Sequence, residues 1–330
     1  MKRHHKIGQL VYYVAVLLLV IILLYSGLQI LEATVLNSGS NTTPGVTSKT
    51  ITRNGIDYYP RRDITVMMLL GIDQAGPVED SGTFTNPGAS DAVMLLIFDE
   101  KNETWSILQL NRDTMLDIPI LGIGGKEGGT TYAQLALAHT YGSGLEDSCV
   151  NTRKAVSNFL GGISIDYYIA MNMDAVEILN DAVGGVTVTV TDDFSDVDPT
   201  ITMGEVTLRG NQAINFVRDR QNVGDQKNAT RMERHREFMD GFREALRGKL
   251  EENAGFVMET YSAVAPYLVS DCSVNTLSTM IKRYEDYTFS GVITPEGENT
   301  VGEMYYEFYA DEEKLDELIV ELFYAPKRGQ

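Results

Sequence analysis

The chain has 330 residues, enough for one large domain or for one domain plus a membrane segment. It carries 27 basic against 46 acidic residues, a net charge of -19. That balance argues against a nucleic-acid binder, whose affinity comes largely from basic groups on phosphates. Any basic cluster therefore stands out against an acidic, solvated background.

Residues 1–6 read MKRHHK, a short basic head. Residues 7–31 contain no charged side chain, and Leu10–Tyr25 is an unbroken apolar or aromatic run. A bilayer core takes about 20 apolar residues as helix, so this stretch is long enough to span. The basic head stays on the cytoplasmic side, which places the rest of the chain outside. Gln29, Leu31 and Glu32 make a poor cleavage site, so an uncleaved signal anchor is expected rather than a removed signal peptide. Residues 37–52 shift to Ser, Asn, Thr and Gly, and residues 32–60 are assigned to an extracellular linker before a catalytic domain over residues 61–330.

Within that domain, Ile64–Ile72, Ala92–Phe98 and Trp105–Leu110 are short apolar runs that read as strands. The polar turn Asp99–Thr104 makes the second and third a hairpin. Helical periods follow at Gln134–Tyr141, Val150–Leu160, Asp174–Val183, Gln212–Arg218 and Ala229–Leu250, with further helices near Thr276–Tyr284 and Glu312–Phe323. Strands are expected at Tyr167–Met171, Gly185–Val190, Tyr287–Ile293 and Met304–Tyr309. The alternation predicts a layered α/β/α domain with a central mixed sheet.

If the first strand pairs antiparallel with the second, Asp73, Asp91, Arg112 and Asp113 all come to one edge of the sheet. Two carboxylates beside an arginine suit a divalent metal and a phosphate, although aspartates that follow strands are often turn residues or caps. Such carboxylates repel each other unless a cation or an arginine lies between them. The second cluster is Phe216–Phe238, with Arg218, Arg220, Arg231, Arg234 and Arg236. Arg231 and His235 share a helical stripe with Phe238, Phe242 and Ala245, the core face by period. An inward arginine suits bidentate binding of phosphate oxygens. The alternative is a solvated face paired with Glu233 and Glu237, which accounts better for Arg236 than for Arg231. Arg218 and Arg220 fall on one side if their segment is extended.

No nucleophile elbow, P-loop, dinucleotide fingerprint or HExxH is present, and His139 reads as structural. Cys149 and Cys272 have no zinc spacing. They either pair outside the membrane or remain two small buried side chains.

Taken together, Leu69–Asp73 (LLGID), Ser90–Leu96 (SDAVMLL), Asn111–Thr114 (NRDT), Asp166–Val188 and the arginine segment resemble the LytR-CpsA-Psr family, by order and spacing rather than by any one piece. The resemblance implies a Mg2+-dependent phosphotransferase of Gram-positive cell-wall assembly. Its donor would be a polyprenyl-pyrophosphate-linked glycan such as teichoic acid, and its acceptor a peptidoglycan sugar hydroxyl. By the same resemblance Asp73 and Asp91 hold the metal. Arg112, Arg218, Arg220, Arg231, Arg234 and His235 are expected to bind phosphates, and Asp73, Asp91, Arg112 and Arg220 are expected to be catalytic. The chain departs from the pattern at Asn111, where Pro is usual, at Asn228, where Asp is usual, and at His235, where Gln is usual. A hydrolase using the same site with water, and a non-catalytic binder of the carrier, are the rival readings.

Overall fold

In the computed structural model the described residues are 50–327, apart from 54, 123–124, 220–221, 226–227, 254–255, 274–275, 277–278, 281–282, 285 and 303–304. The expected membrane segment lies outside them, as does Arg220. Among the described residues no helix is long and apolar enough to cross a membrane.

The elements in chain order are β1 (Ile51–Arg53), β2 (Ile56–Pro60), β3 (Ile64–Ile72), β4 (Ser90–Asp99), β5 (Thr104–Leu110), β6 (Met115–Leu121) and β7 (Glu127–Gln134). Then come a 3-10 turn (Leu135–Thr140), α1 (Glu146–Phe159), β8 (Tyr167–Asn172), α2 (Met173–Ala182), β9 (Val186–Val190) and β10 (Gly204–Leu208). The remainder is α3 (Asn211–Arg218), α4 (Asn228–Glu252), α5 (Phe256–Val264), β11 (Leu268–Ser270), β12 (Thr288–Ile293), β13 (Gly297–Val301), β14 (Tyr306–Ala310), α6 (Glu312–Phe323) and β15 (Tyr324–Pro326). These residues fall into two compact units. A sheet unit takes residues 50–70, 79–168 and 288–327, and a helical unit takes residues 71–78 and 169–287.

In the sheet unit the strands lie in the order β3-β4-β5-β12. Val93, Leu95, Leu96, Ile97 and Phe98 are all buried, which is why β4 reads as a continuous apolar run instead of an alternating one. β4 and β5 pair antiparallel from Val93↔Leu110 to Asp99↔Thr104, and β12 runs parallel to β5, so the sheet is mixed. The Glu100 N–H donates to Asp63 O at 2.8 Å, which sets the start of β3 against the end of β4 and makes that pair antiparallel. Arg61 fixes the same corner with two hydrogen bonds to Asp99, at 2.8 and 2.6 Å. Burial opposes ionisation of Asp99, yet Arg61 and Asn102 hold its pKa down at about 2.

Three parts of this unit differ from the sequence expectation. Ile51–Arg53 and Ile56–Pro60, expected in a linker, form a three-stranded sheet with β15. β6 and β7 form a hairpin where no strand was expected. The expected helix at Gln134–Tyr141 is a 3-10 turn that follows the last strand residue, Gln134.

In the helical unit β11 pairs antiparallel with β8, and β9 with β10. Burial alternates along β9, with Val186, Val188 and Val190 inward. α4 packs on that strand so closely that a Cβ at Gly241 would lie 2.2 Å from Thr187 O. The Thr189 N–H donates to Glu237 at 2.7 Å along the same contact. Cys149 and Cys272 are both buried, and burial pushes the Cys272 thiol up to about 12.

Candidate functional site

In the sheet unit Asp91 is the second residue of β4, and Arg112 follows the end of β5. Extending the Val93↔Leu110 register by two residues sets Asp91 opposite Arg112, on one face of the hairpin. Arg112 Nη1 donates to Asp91 Oδ1, and Arg112 Nε lies 3.6 Å from Asp113 Oδ1. The turn is built by Asn111. Its side-chain oxygen accepts the Asp113 N–H at 2.9 Å, and its carbonyl accepts the Thr114 hydroxyl at 2.6 Å. The fully buried Asp113 also accepts from Gln134 Nε2 at 3.1 Å. Asn111, where the family usually has Pro, thus ties the turn by its side chain.

In the helical unit Asp73 follows β3, and Arg218 Nε donates to Asp73 Oδ1 at 2.8 Å. The chain after Asp73 is stapled to the start of α2. The Gly76 N–H donates to Asp174 at 2.7 Å, and Asn172 Nδ2 donates to Gly76 O at 2.9 Å. Arg218 is the last residue of α3, not part of an extended segment, so the alternation expected for Arg218 and Arg220 does not describe it.

The α4 side chains reach the end of α3. Arg231 is only 2% exposed, and Arg234 and His235 are buried. Arg234 Nη1 donates to Phe216 O at 2.7 Å, and its Nη2 donates to Asp219 O. His235 Nε2–H donates to Val217 O at 2.8 Å. Arg231 Nη1 lies 3.4 Å from Arg218 O, while its Nη2 and Nε donate to Asn228 Oδ1 at 2.6 and 3.2 Å. The last carbonyls of a helix have no partner within it, and here α4 supplies the donors. Asn228, where the family usually has Asp, still accepts from Arg231 as a neutral group. His235 donates one hydrogen bond, as the usual Gln could.

Burial lowers the Arg234 pKa to about 10, against the pull of Asp192 at 3.8 Å. Its guanidinium also lies over the Phe194 ring at 5.2 Å. Asp219, between Arg218 and Arg220 in sequence, was not singled out from sequence, although that position was the available signal. Burial raises its carboxyl above the ordinary range, against the pull of Arg218 and Arg234. His139 is structural: its Nδ1 meets Gly88 O at 2.8 Å, and burial lowers its pKa.

Among the described residues no three His, Cys, Asp or Glu side chains gather to hold a metal ion. Asp73 and Asp91 remain hard oxygen donors of the kind Mg2+ takes when phosphate oxygens and water complete its shell. Taken singly, each carboxylate fits that ion by its donor chemistry.

Residues 32–323 match the LytR_cpsA_psr family model. The chain belongs to that family. Among its relatives is "Polyisoprenyl-teichoic acid--peptidoglycan teichoic acid transferase TagU" of Bacillus anthracis, 28% identical over 258 residues, 76% of this chain and 75% of that protein. TagV of Bacillus subtilis, with the corresponding teichoic acid transferase name, is 32% identical over 151 residues, 44% of this chain and 36% of that protein. In fold this LytR_cpsA_psr member is similar to TagT bound to LI-WTA (TM-score 0.58, 24% identity, 79% of this chain and 90% of that one). It is also similar to the crystal structure of B. subtilis TagV (TM-score 0.57, 22% identity, 79% and 96%).

Proposed function

We propose that the protein transfers a phosphorylated glycopolymer, teichoic acid or a similar chain, from a polyprenyl-pyrophosphate carrier to a peptidoglycan sugar hydroxyl. It would act at the outer face of the membrane, anchored by residues 7–31. The observation that carries this reading is the Arg112–Asp91 pair, a guanidinium held to a carboxylate where two neighbouring strands end, in a chain of net charge -19. The names of the TagU and TagV relatives support the reaction class.

Phosphoryl transfer needs positioning and neutralisation of charge more than covalent help from the protein. Arg112, Arg218 and Arg220 supply planar sets of donors for the phosphate oxygens. Arg231, Arg234 and His235 act one step back, by holding the Phe216–Asp219 carbonyls and so the place of Arg218. By the family resemblance Asp73 and Asp91 would hold Mg2+, which when bound polarises the phosphoryl oxygens and offsets their charge.

The test is a transfer assay with labelled polyprenyl-pyrophosphate glycan and peptidoglycan fragments. Label should reach the fragments only with Mg2+. Asp73→Asn and Asp91→Asn should abolish that transfer, and Arg112→Ala should lose transfer and donor binding together, by about 100-fold or more. Arg236→Ala, half-buried and outside this set, should stay near wild type. Label released only into water would make the protein a hydrolase. Donor bound without turnover would make it a carrier-binding protein, and transfer without metal would remove Mg2+ from the site.

A further inference from the structure

The sheet unit carries a cavity of about 360 Å3 that includes none of the site residues above. β6 and β7 form one wall, and the end of α1, β14 and the start of α6 form the rest. Its aromatic side chains are Tyr132, Phe159 and Tyr309, its acidic ones are Asp117 and Glu312, and no basic side chain lines it. Asp117 and Tyr132 are direct partners across the β6–β7 hairpin. Tyr132 is 57% exposed and Tyr309 is 41% exposed, so both side chains reach solvent. A third carboxylate, Glu307, accepts the Tyr309 hydroxyl at 2.7 Å.

The charges converge on one ring. Burial raises the Tyr132 phenol, and the charges of Asp117, Glu307 and Glu312 raise it further. Asp117 faces Tyr132 across the hairpin, and Glu312 lines the same cavity. Among the described residues no arginine or lysine forms an ion pair with Asp117, Glu307 or Glu312. Exposed aromatic faces attract cations through the ring quadrupole. Carboxylates beside them add charge, and an anionic ligand would be repelled.

We propose that this cavity binds an ammonium-bearing group, primary or quaternary, between the rings of Tyr132 and Tyr309 with Asp117 and Glu312 as counter-charges. The cavity shares β6 with the turn that carries Arg112. The Asp113 carbonyl in that turn accepts the Phe308 N–H at 2.9 Å, which anchors β14 as well. The proposal does not depend on the transfer chemistry, and its test uses no donor lipid.

The purified full chain is titrated with choline, with butylammonium and with the neutral isostere 3,3-dimethylbutanol at constant ionic strength, and tyrosine ring resonances are followed by NMR. One or both cations should bind saturably, with a dissociation constant on the order of millimolar, and the neutral isostere should not. A tighter choline complex assigns the site to quaternary groups, and a tighter butylammonium complex assigns it to free amines. Tyr132→Ala, and Asp117→Asn combined with Glu312→Gln, should each weaken binding by roughly threefold or more. All three positions are exposed, so these variants should keep the wild-type melting curve. Equal binding of the isostere, no saturable shift with either cation, or unchanged affinity in folded variants would each overturn the proposal.

Discussion

The Arg112–Asp91 pair sits where little water reaches it, with side chains 15% and 8% exposed. A charge so placed is tolerated because its partner is there. Removing one member leaves the other poorly solvated and uncompensated. Asp91→Asn should therefore lower stability, by roughly 1–3 kcal/mol for a part-buried pair. Asp73→Asn breaks a pair that is half exposed at Arg218, and it should change stability little. Thermal melts of both variants without added metal check this. A rise in melting temperature for Asp91→Asn would instead mean that repulsion between carboxylates governs the position, as two aspartates drawn together without arginines would imply. Each carboxylate has a guanidinium against it, Arg112 on Asp91 and Arg218 on Asp73, and such a partner relieves repulsion between carboxylates.

At the scale of elements, α3 and α4 form one device. α3 is short and ends at Arg218, and its terminal carbonyls are satisfied by α4 side chains rather than by a following turn. This makes His235 testable by shape. His235→Gln keeps a donor and should stay within roughly 0.5 kcal/mol of wild type, whereas His235→Leu strands Val217 O and should cost about 1–3 kcal/mol. Amide hydrogen exchange at the end of α3 should speed up in the Leu variant and not in the Gln variant; equal exchange in both would show that the contact holds nothing. The inward direction of Arg231 was legible, since the stripe through Phe238 and Phe242 follows the helical period. What it would touch was not legible, because the acceptors on α3 are backbone carbonyls, which leave no trace in residue identity. The β4–β5 hairpin was legible from two apolar runs and a polar turn. The β6–β7 hairpin was not, because Pro119 interrupts one strand pattern and Gly128 and Gly129 stand in the other, so both read as loop. Arg61 and Asp99, which lock the corner of the sheet, carried no motif at all.

For the whole molecule, the basic head and the apolar run at residues 7–31 make the side of the membrane a measurable quantity. Protease added to intact cells stripped of wall should digest the domain, because a positive N-terminal flank keeps that end inside and carries the remainder out. Protection that persists until lysis would withdraw the export assignment. A different consequence follows from how the sheet unit is threaded. Its parts lie on both sides of the helical unit in sequence, and β2 gains its second neighbour only from Tyr324–Pro326. β5 likewise waits for β12. A chain made from its N-terminus can finish the helical unit while the sheet unit still shows open strand edges, the surfaces most prone to join a wrong partner. The late strand β15 is thus a clasp on β2, and the delay before it arrives sets how long the newborn sheet stays vulnerable to aggregation.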